Sequence, residues 1–158
     1  VRVEDISLEE LKTLANIIAK YVKSYDLNFI YLNGDLGTGK TTFTKYFCEN
    51  FSVEPSQISS PTFSIVNVYN GVRTIYHVDL YRIGDIDEVF YVLEENFEDK
   101  EGIFIIEWSD LFKEYFTEKG IKINFYHKDE FLRDIDVITD LRSLEEDLRR
   151  WDCEREKV

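Results

Sequence analysis

Methionine is absent from this sequence, and proline, cysteine, histidine and tryptophan occur only twice each among 158 residues. The cysteines, Cys48 and Cys153, have no C-x-x-C spacing, and His77 and His127 stand equally apart. A structural zinc site is therefore unsupported, and the thiols read as free in a reduced cytosol. Pro55 and Pro61 fall in one loop, so no Pro- or Gly-rich linker divides the chain. No run approaches the ~20 apolar residues that a membrane span needs, and the N-terminus lacks a basic-then-apolar signal pattern. These absences suit a soluble cytoplasmic protein. The missing methionine suggests only that position 1 need not be the original start. Basic residues are in the minority, with 19 Lys and Arg against 32 Asp and Glu and a net charge of −13. Such a surface repels naked nucleic acid, so any RNA chemistry would need a partner to hold the RNA.

What is present is apolar and aromatic: 44% of residues are hydrophobic, including 12 Phe and 10 Tyr. That is enough for one domain over 1–158 with a packed core. Ser7-Leu8-Glu9-Glu10 reads as a capping box opening a helix, with Leu8, Leu11, Leu14, Ile17, Ile18 and Tyr21 on one stripe. Residues 29–32 form a strand-length apolar run, and 41–50 read as a helix with Phe43, Tyr46, Phe47 and Phe51 inward. Segments 63–69 and 72–79 flank Asn70-Gly71, a hairpin signal because both residues tolerate positive φ. A helix is expected over 85–96, a buried strand over 102–107 and a second helix over 109–117. Segments 121–126 and 131–138 alternate around Lys128-Asp129-Glu130 as another hairpin. A charged helix from Ser143, within a tail spanning 140–158, carries Leu141, Leu144, Leu148 and Trp151 on one face; it reads as a cap on the fold or a docking helix.

Between the first apolar strand and the next helix lies Gly34-Asp35-Leu36-Gly37-Thr38-Gly39-Lys40-Thr41, a complete G-x-x-x-x-G-K-[ST] element. Glycines let the backbone turn tightly and aim amides at phosphate oxygens, and the following helix adds its positive dipole end. Lys40 offers a mobile charge to the terminal phosphates and Thr41 a hydroxyl to Mg²⁺. The fold class follows: an α/β, P-loop NTPase-type three-layer sandwich with a mixed, partly antiparallel central sheet. No N-K-x-D element selects guanine and no L-S-G-G-Q element is present, which leaves ATP by elimination. Mg²⁺ needs further oxygen ligands. Asp79 and Glu107 end two expected strands, where the ligand crevice of such sheets lies. Asp79 is the candidate Walker B acid; Glu107 would bind the metal or manage the attacking water. Thr62 falls where a γ-phosphate sensor would belong, but on the residues alone it reads as an ordinary loop residue.

Four segments together resemble the TsaE (YjeE) family: residues 34–43, Ser60-Pro61-Thr62-Phe63, His77-Val78-Asp79-Leu80-Tyr81-Arg82 and Glu107-Trp108. The resemblance implies an ATPase working with a TsaB–TsaD pair that makes threonylcarbamoyladenosine at position 37 of tRNA, with the RNA held by the partners. By motif position it implies nucleotide contacts from Asp35, Leu36, Gly37, Thr38, Gly39, Lys40, Thr41 and Thr42. It places Mg²⁺ on Thr41 and Glu107 with Asp79 as the Walker B acid, and Thr62 in a first switch. Trp108 would sit beside the nucleotide and Arg133 near it. Thr38 stands where the family often has alanine, a change expected at the loop surface. Two other functions share the binding residues: a small-molecule kinase, which would need a basic lid, and a nucleotide-dependent binding switch with little hydrolysis.

Overall fold

The computed structural model describes residues 1–59 and 65–156. Seven strands form one sheet: β1 (Arg2–Ile6), β2 (Phe29–Asn33), β3 (Val66–Asn70), β4 (Thr74–Asp79), β5 (Ile103–Glu107), β6 (Ile121–His127) and β7 (Arg133–Ile138). Their order across the sheet is β1-β7-β6-β2-β5-β4-β3. The middle four run parallel, and antiparallel partners close both edges, β3 on β4 and β7 with β1 beside β6. The helices are α1 (Glu10–Tyr25), α2 (Lys40–Glu49), α3 (Ile86–Leu93) and α4 (Arg142–Glu156). The mixed α/β sandwich expected from the sequence is the fold observed.

Strand alternation divides the core in two. Ile30, Leu32, Ile75, Ile103 and Ile105 point to one face and pack with α1, α2 and α4. Tyr31, Val78, Phe104 and Ile106 point to the other, against Val89 and Leu93 of α3 and the aromatics Phe97, Phe112, Tyr115 and Phe116. β5 is buried along its whole length because both faces are covered.

The capping box forms: Glu10 N–H donates to Ser7 Oγ (3.2 Å) and Ser7 N–H to Glu10 Oε1 (3.1 Å). Leu11, Leu14 and Ile18 are fully buried, but Leu8, in the tight turn before α1, is 44% exposed. Arg155 of α4 also pairs with Glu10 and donates to the carbonyls of Glu4 and Asp5, while Leu144 and Leu148 are buried in the larger core cluster. The charged tail therefore caps the fold.

Two expectations are corrected, and one strand was not anticipated. Residues 109–117 do not form an α-helix; only a 3-10 turn over Ser109–Phe112 appears. Phe112, Tyr115 and Phe116 pack into the second core cluster from this short segment, and that packing overrides a weak local preference. β1 had no sequence signal because a register shift separates its buried residues, Val3 and Ile6, by three positions instead of two, with Asp5 at φ 57°. The Asn70-Gly71 hairpin exists, but Asn70 pairs with Thr74 and the loop has three residues, neither Asn70 nor Gly71 using positive φ. Gly71 is required for a different reason: a Cβ there would lie 2.1 Å from the carbonyl oxygen of Phe51, which accepts from Val72 N–H at 2.8 Å.

Gly71→Ala is thus expected to destabilise the protein by about 1–3 kcal/mol, the usual cost of forced overpacking. Gly84→Ala, whose nearest neighbour would be Glu88 at 3.9 Å, serves as the control and should melt close to wild type. Equal melting of the two variants would refute the close-approach argument.

Candidate nucleotide site

The glycine loop spans the gap between the end of β2 and the start of α2. Gly37 and Gly39 adopt φ of 77° and 111°, which glycine alone reaches without strain. Gly34 is held for space, since a Cβ there would stand 2.6 Å from the carbonyl oxygen of Phe125 on β6. Among the described residues no acceptor takes the amide hydrogens of Thr41 and Thr42, the open donors of a helix first turn. The donors and the helix dipole together make this an anion site.

Long-range contacts from the β6–β7 hairpin fix the loop. Arg133, 3% exposed, donates through Nε to Thr38 O (3.0 Å) and through Nη1 to Ile6 O and Phe131 O (3.1 Å each). Its nearest role is therefore a clamp on the loop. His127 Nε2 donates to Leu36 O at 3.0 Å. Thr38 is 1% exposed and its hydroxyl donates to Asp35 O at 2.8 Å, so it is an internal brace and not the surface residue expected.

Facing the loop are the two strand-end acids. β4 and β5 are parallel with Asp79 opposite Glu107, so both carboxylates emerge on the face occupied by α2. Lys40 Nζ lies 3.9 Å from Glu107 Oε1, donates to Gly34 O, and stands 4.1 Å from the centre of the Trp108 ring. Trp108, at φ 64°, is also 4.9 Å from the ring of Tyr81. Burial holds the Lys40 ammonium below its ordinary pKa, partly offset by Glu107, Asp79 and Asp35. Burial raises Asp79, opposed by the hydrogen bond from Tyr81 N–H and reinforced by the charge of Glu107.

A cleft of about 390 Å³ is lined by Leu36, Gly37, Gly39, Lys40, Thr41, Thr42, Asp79, Glu107, Trp108 and Arg133, together with Leu8 and Glu130. The sequence-derived set is thus brought together, except that Asp35 and Thr38 brace the loop from outside the lining. Thr62 and the Ser60-Pro61-Thr62-Phe63 element lie outside the described residues. No group of three or more His, Cys, Asp or Glu converges on a metal among the described residues. The donor set fits a hard cation shared with phosphate: one hydroxyl, two carboxylates and amides for the anion.

Residues 6–135 match the family described as threonylcarbamoyl adenosine biosynthesis protein TsaE. The chain belongs to the TsaE family. The TsaE of Rickettsia felis is 38% identical over 134 residues, covering 83% of this chain and 75% of that protein. The TsaE of Bacillus subtilis is 39% identical over 119 residues, covering 75% and 72%. The crystal structure of Bacillus subtilis YdiB superposes with a TM-score of 0.65 at 30% identity, covering 96% of this chain and 95% of that one. No helix among the described residues is long and apolar enough to cross a membrane.

Two polar residues in this TsaE-family chain were given no role by the sequence reading. Asn33, the last residue of β2, accepts from Ser109 Oγ and Asp110 N–H (both 3.2 Å), which fixes the exit of β5 beside the loop. His77, fully buried, meets Glu107 Oε2 at 2.5 Å. Its signal was available in the two-residue spacing to Asp79, which puts both on one face of β4.

Burial of Asp79 ties the stability of the fold to pH. A carboxyl raised above its unfolded pKa favours the fold when protonated, and that benefit is lost as pH rises through the raised value. At neutral pH the ionised group costs stability. Asp79→Asn should therefore melt a few degrees higher than wild type at pH 7, with the advantage shrinking at pH 5. A lower melting point at pH 7 would show that the carboxylate stabilises the fold.

Proposed function

We propose that this chain is a Mg²⁺-dependent ATPase, slow alone and stimulated by partners, that supports threonylcarbamoyladenosine formation on tRNA beside a TsaB–TsaD pair. The observation that carries the reading is the in-register pair Asp79 and Glu107 facing Lys40 of a complete glycine loop, in a chain of the TsaE family. A net charge of −13 disfavours contact with naked RNA, so the tRNA belongs on the partners.

The roles follow from position. The loop amides and the N-terminus of α2 hold the phosphates, with Asp35, Leu36 and Thr38 keeping the loop in shape. Lys40 leaves the Gly34 carbonyl to meet the terminal phosphate, where its charge offsets the charge that develops as the bond to the leaving group lengthens. Thr41 and Glu107 would hold Mg²⁺, with Asp79 beside them as the Walker B acid. When bound, the ion polarises the phosphate oxygens. Asp79 or Glu107 orients water for in-line attack and takes its proton. Trp108, backed by Tyr81, covers the lysine and keeps bulk water from that side. Arg133 acts through Thr38, as a clamp on the loop.

The test pairs binding with turnover. The purified chain is incubated with a TsaB–TsaD complex, with and without Mg²⁺ and ATP, while retention and phosphate release are followed together. Nucleotide-dependent retention and stimulated release are expected, with release by Lys40→Ala reduced about 10²- to 10³-fold, the usual cost of removing one charge-stabilising group. Wild-type release that is unchanged by the partners, or equal release by Lys40→Ala, would overturn the proposal.

A further inference from the structure

We propose that His77 is a positioning residue that holds the Glu107 carboxylate in one orientation, leaving Oε1 alone to serve the cleft. This rests on the nucleotide reading above and goes beyond it, to a group that never reaches the ligand.

His77 is fully buried and does not line the cleft, so its contribution passes through Glu107. Its Nε2–H donates to Glu107 Oε2 at 2.5 Å, and Glu107 Oε1 faces Lys40 at 3.9 Å. The two oxygens are thereby given separate tasks. On the other side of the ring, the Tyr69 hydroxyl lies 3.0 Å from Nδ1 and 3.2 Å from Ser59 O. A carboxylate oxygen only accepts, so the ring hydrogen lies on Nε2 toward Glu107, with the Tyr69 hydroxyl as the neighbour of Nδ1.

The placement is not what packing alone would select. On the same sheet face, Ile75 precedes His77 on β4, and Ile103 and Ile105 precede Glu107 on β5. An apolar residue at position 77 would continue that layer, whereas an imidazole must be satisfied on both nitrogens to be tolerated there. Its arrangement in line, tyrosine to histidine to carboxylate to lysine, is what a residue fixing the acid would need. A carboxylate that can rotate would offer both oxygens to a cation; one held at Oε2 offers a single ligand atom and leaves room for water.

Two variants of nearly equal polarity separate positioning from bulk. In His77→Gln the amide nitrogen occupies the place of Nε2 and can still donate to Glu107. In His77→Asn the side chain reaches Tyr69 but falls short of Glu107. The measurements are the Mg²⁺ concentration that half-saturates binding of a fluorescent ATP analogue by polarisation, nucleotide affinity in EDTA, kcat and KM for ATP, and thermal melting. For His77→Asn the expected result is about a tenfold rise in the Mg²⁺ requirement and about a tenfold fall in kcat, within the range seen when partners of metal ligands are lost. KM and affinity in EDTA should stay within about twofold, and His77→Gln should recover most of the loss.

Unaltered Mg²⁺ requirement in both variants would overturn the proposal. So would equal losses in both that follow their melting points, since that is the behaviour of a merely structural pair. Binding by the wild-type chain that ignores Mg²⁺ would sink the nucleotide reading itself and this proposal with it. A Mg²⁺-dependent wild type with indifferent variants would sink this proposal alone.

Discussion

Glu107 places a carboxylate at the end of a strand covered on both faces, with 3% of its surface left to solvent. A charge so buried is costly unless its oxygens find partners, and a lone unpaired one would cost several kcal/mol or more. Here one oxygen takes His77 and the other faces Lys40. That arrangement depends on the parallel register that sets Asp79 opposite Glu107, and on β5 lying between β2 and β4. The strand order matters because β2 delivers the glycine loop and β5 its carboxylate to neighbouring strand ends. Trp108 N–H then donates to Leu32 O at 3.0 Å, which carries the pairing one residue past Glu107 and sets the aromatic ring over Lys40.

The glycine loop is not held by local sequence alone. Arg133 and His127, about a hundred residues downstream, bind the carbonyls of Thr38 and Leu36, and Phe125 limits the approach at Gly34. Arg133 also accounts for the distorted β1, because its guanidinium takes the Ile6 carbonyl in the same reach that holds Thr38. The edge strands and the site are therefore one mechanical unit. A change at the β6–β7 hairpin acts on the phosphate loop even though no residue of the loop itself is altered.

This explains what could be read from the sequence and what could not. The glycine loop was legible because its conformations need particular residues at fixed spacing, and Asp79 and Glu107 because polar residues closing apolar runs mark strand ends. The family resemblance rested on those same segments and on His77, whose place in a motif was visible while its partner was not. Contacts such as Arg133 with Thr38 join positions with no common period and leave no local trace. Asn70-Gly71 gave the correct hairpin for an incomplete reason: the glycine answers to Phe51, in the turn that follows α2, and not to its own turn. The failed helix over 109–117 is the same lesson in reverse, since its aromatics serve the second core before they serve a helix.

The two opposed charges of the cleft also bear on how ligand and fold are linked. Burial disfavours the Lys40 ammonium, and the neighbouring carboxylates only partly offset this. Asp79 is disfavoured as an anion for the same reason, and the nearby charge of Glu107 adds to its cost. The acids need a cation that the protein does not itself supply in full, and the lysine and amides need an anion. A phosphate chain carrying a divalent ion answers both at once, whereas either alone would leave one set of charges uncompensated. On the proposed reading, stability and binding would be joined by mass action through the same four side chains, Lys40, Thr41, Asp79 and Glu107. The cleft holds these charges at a cost to the fold, which is the usual relation between a functional site and local stability.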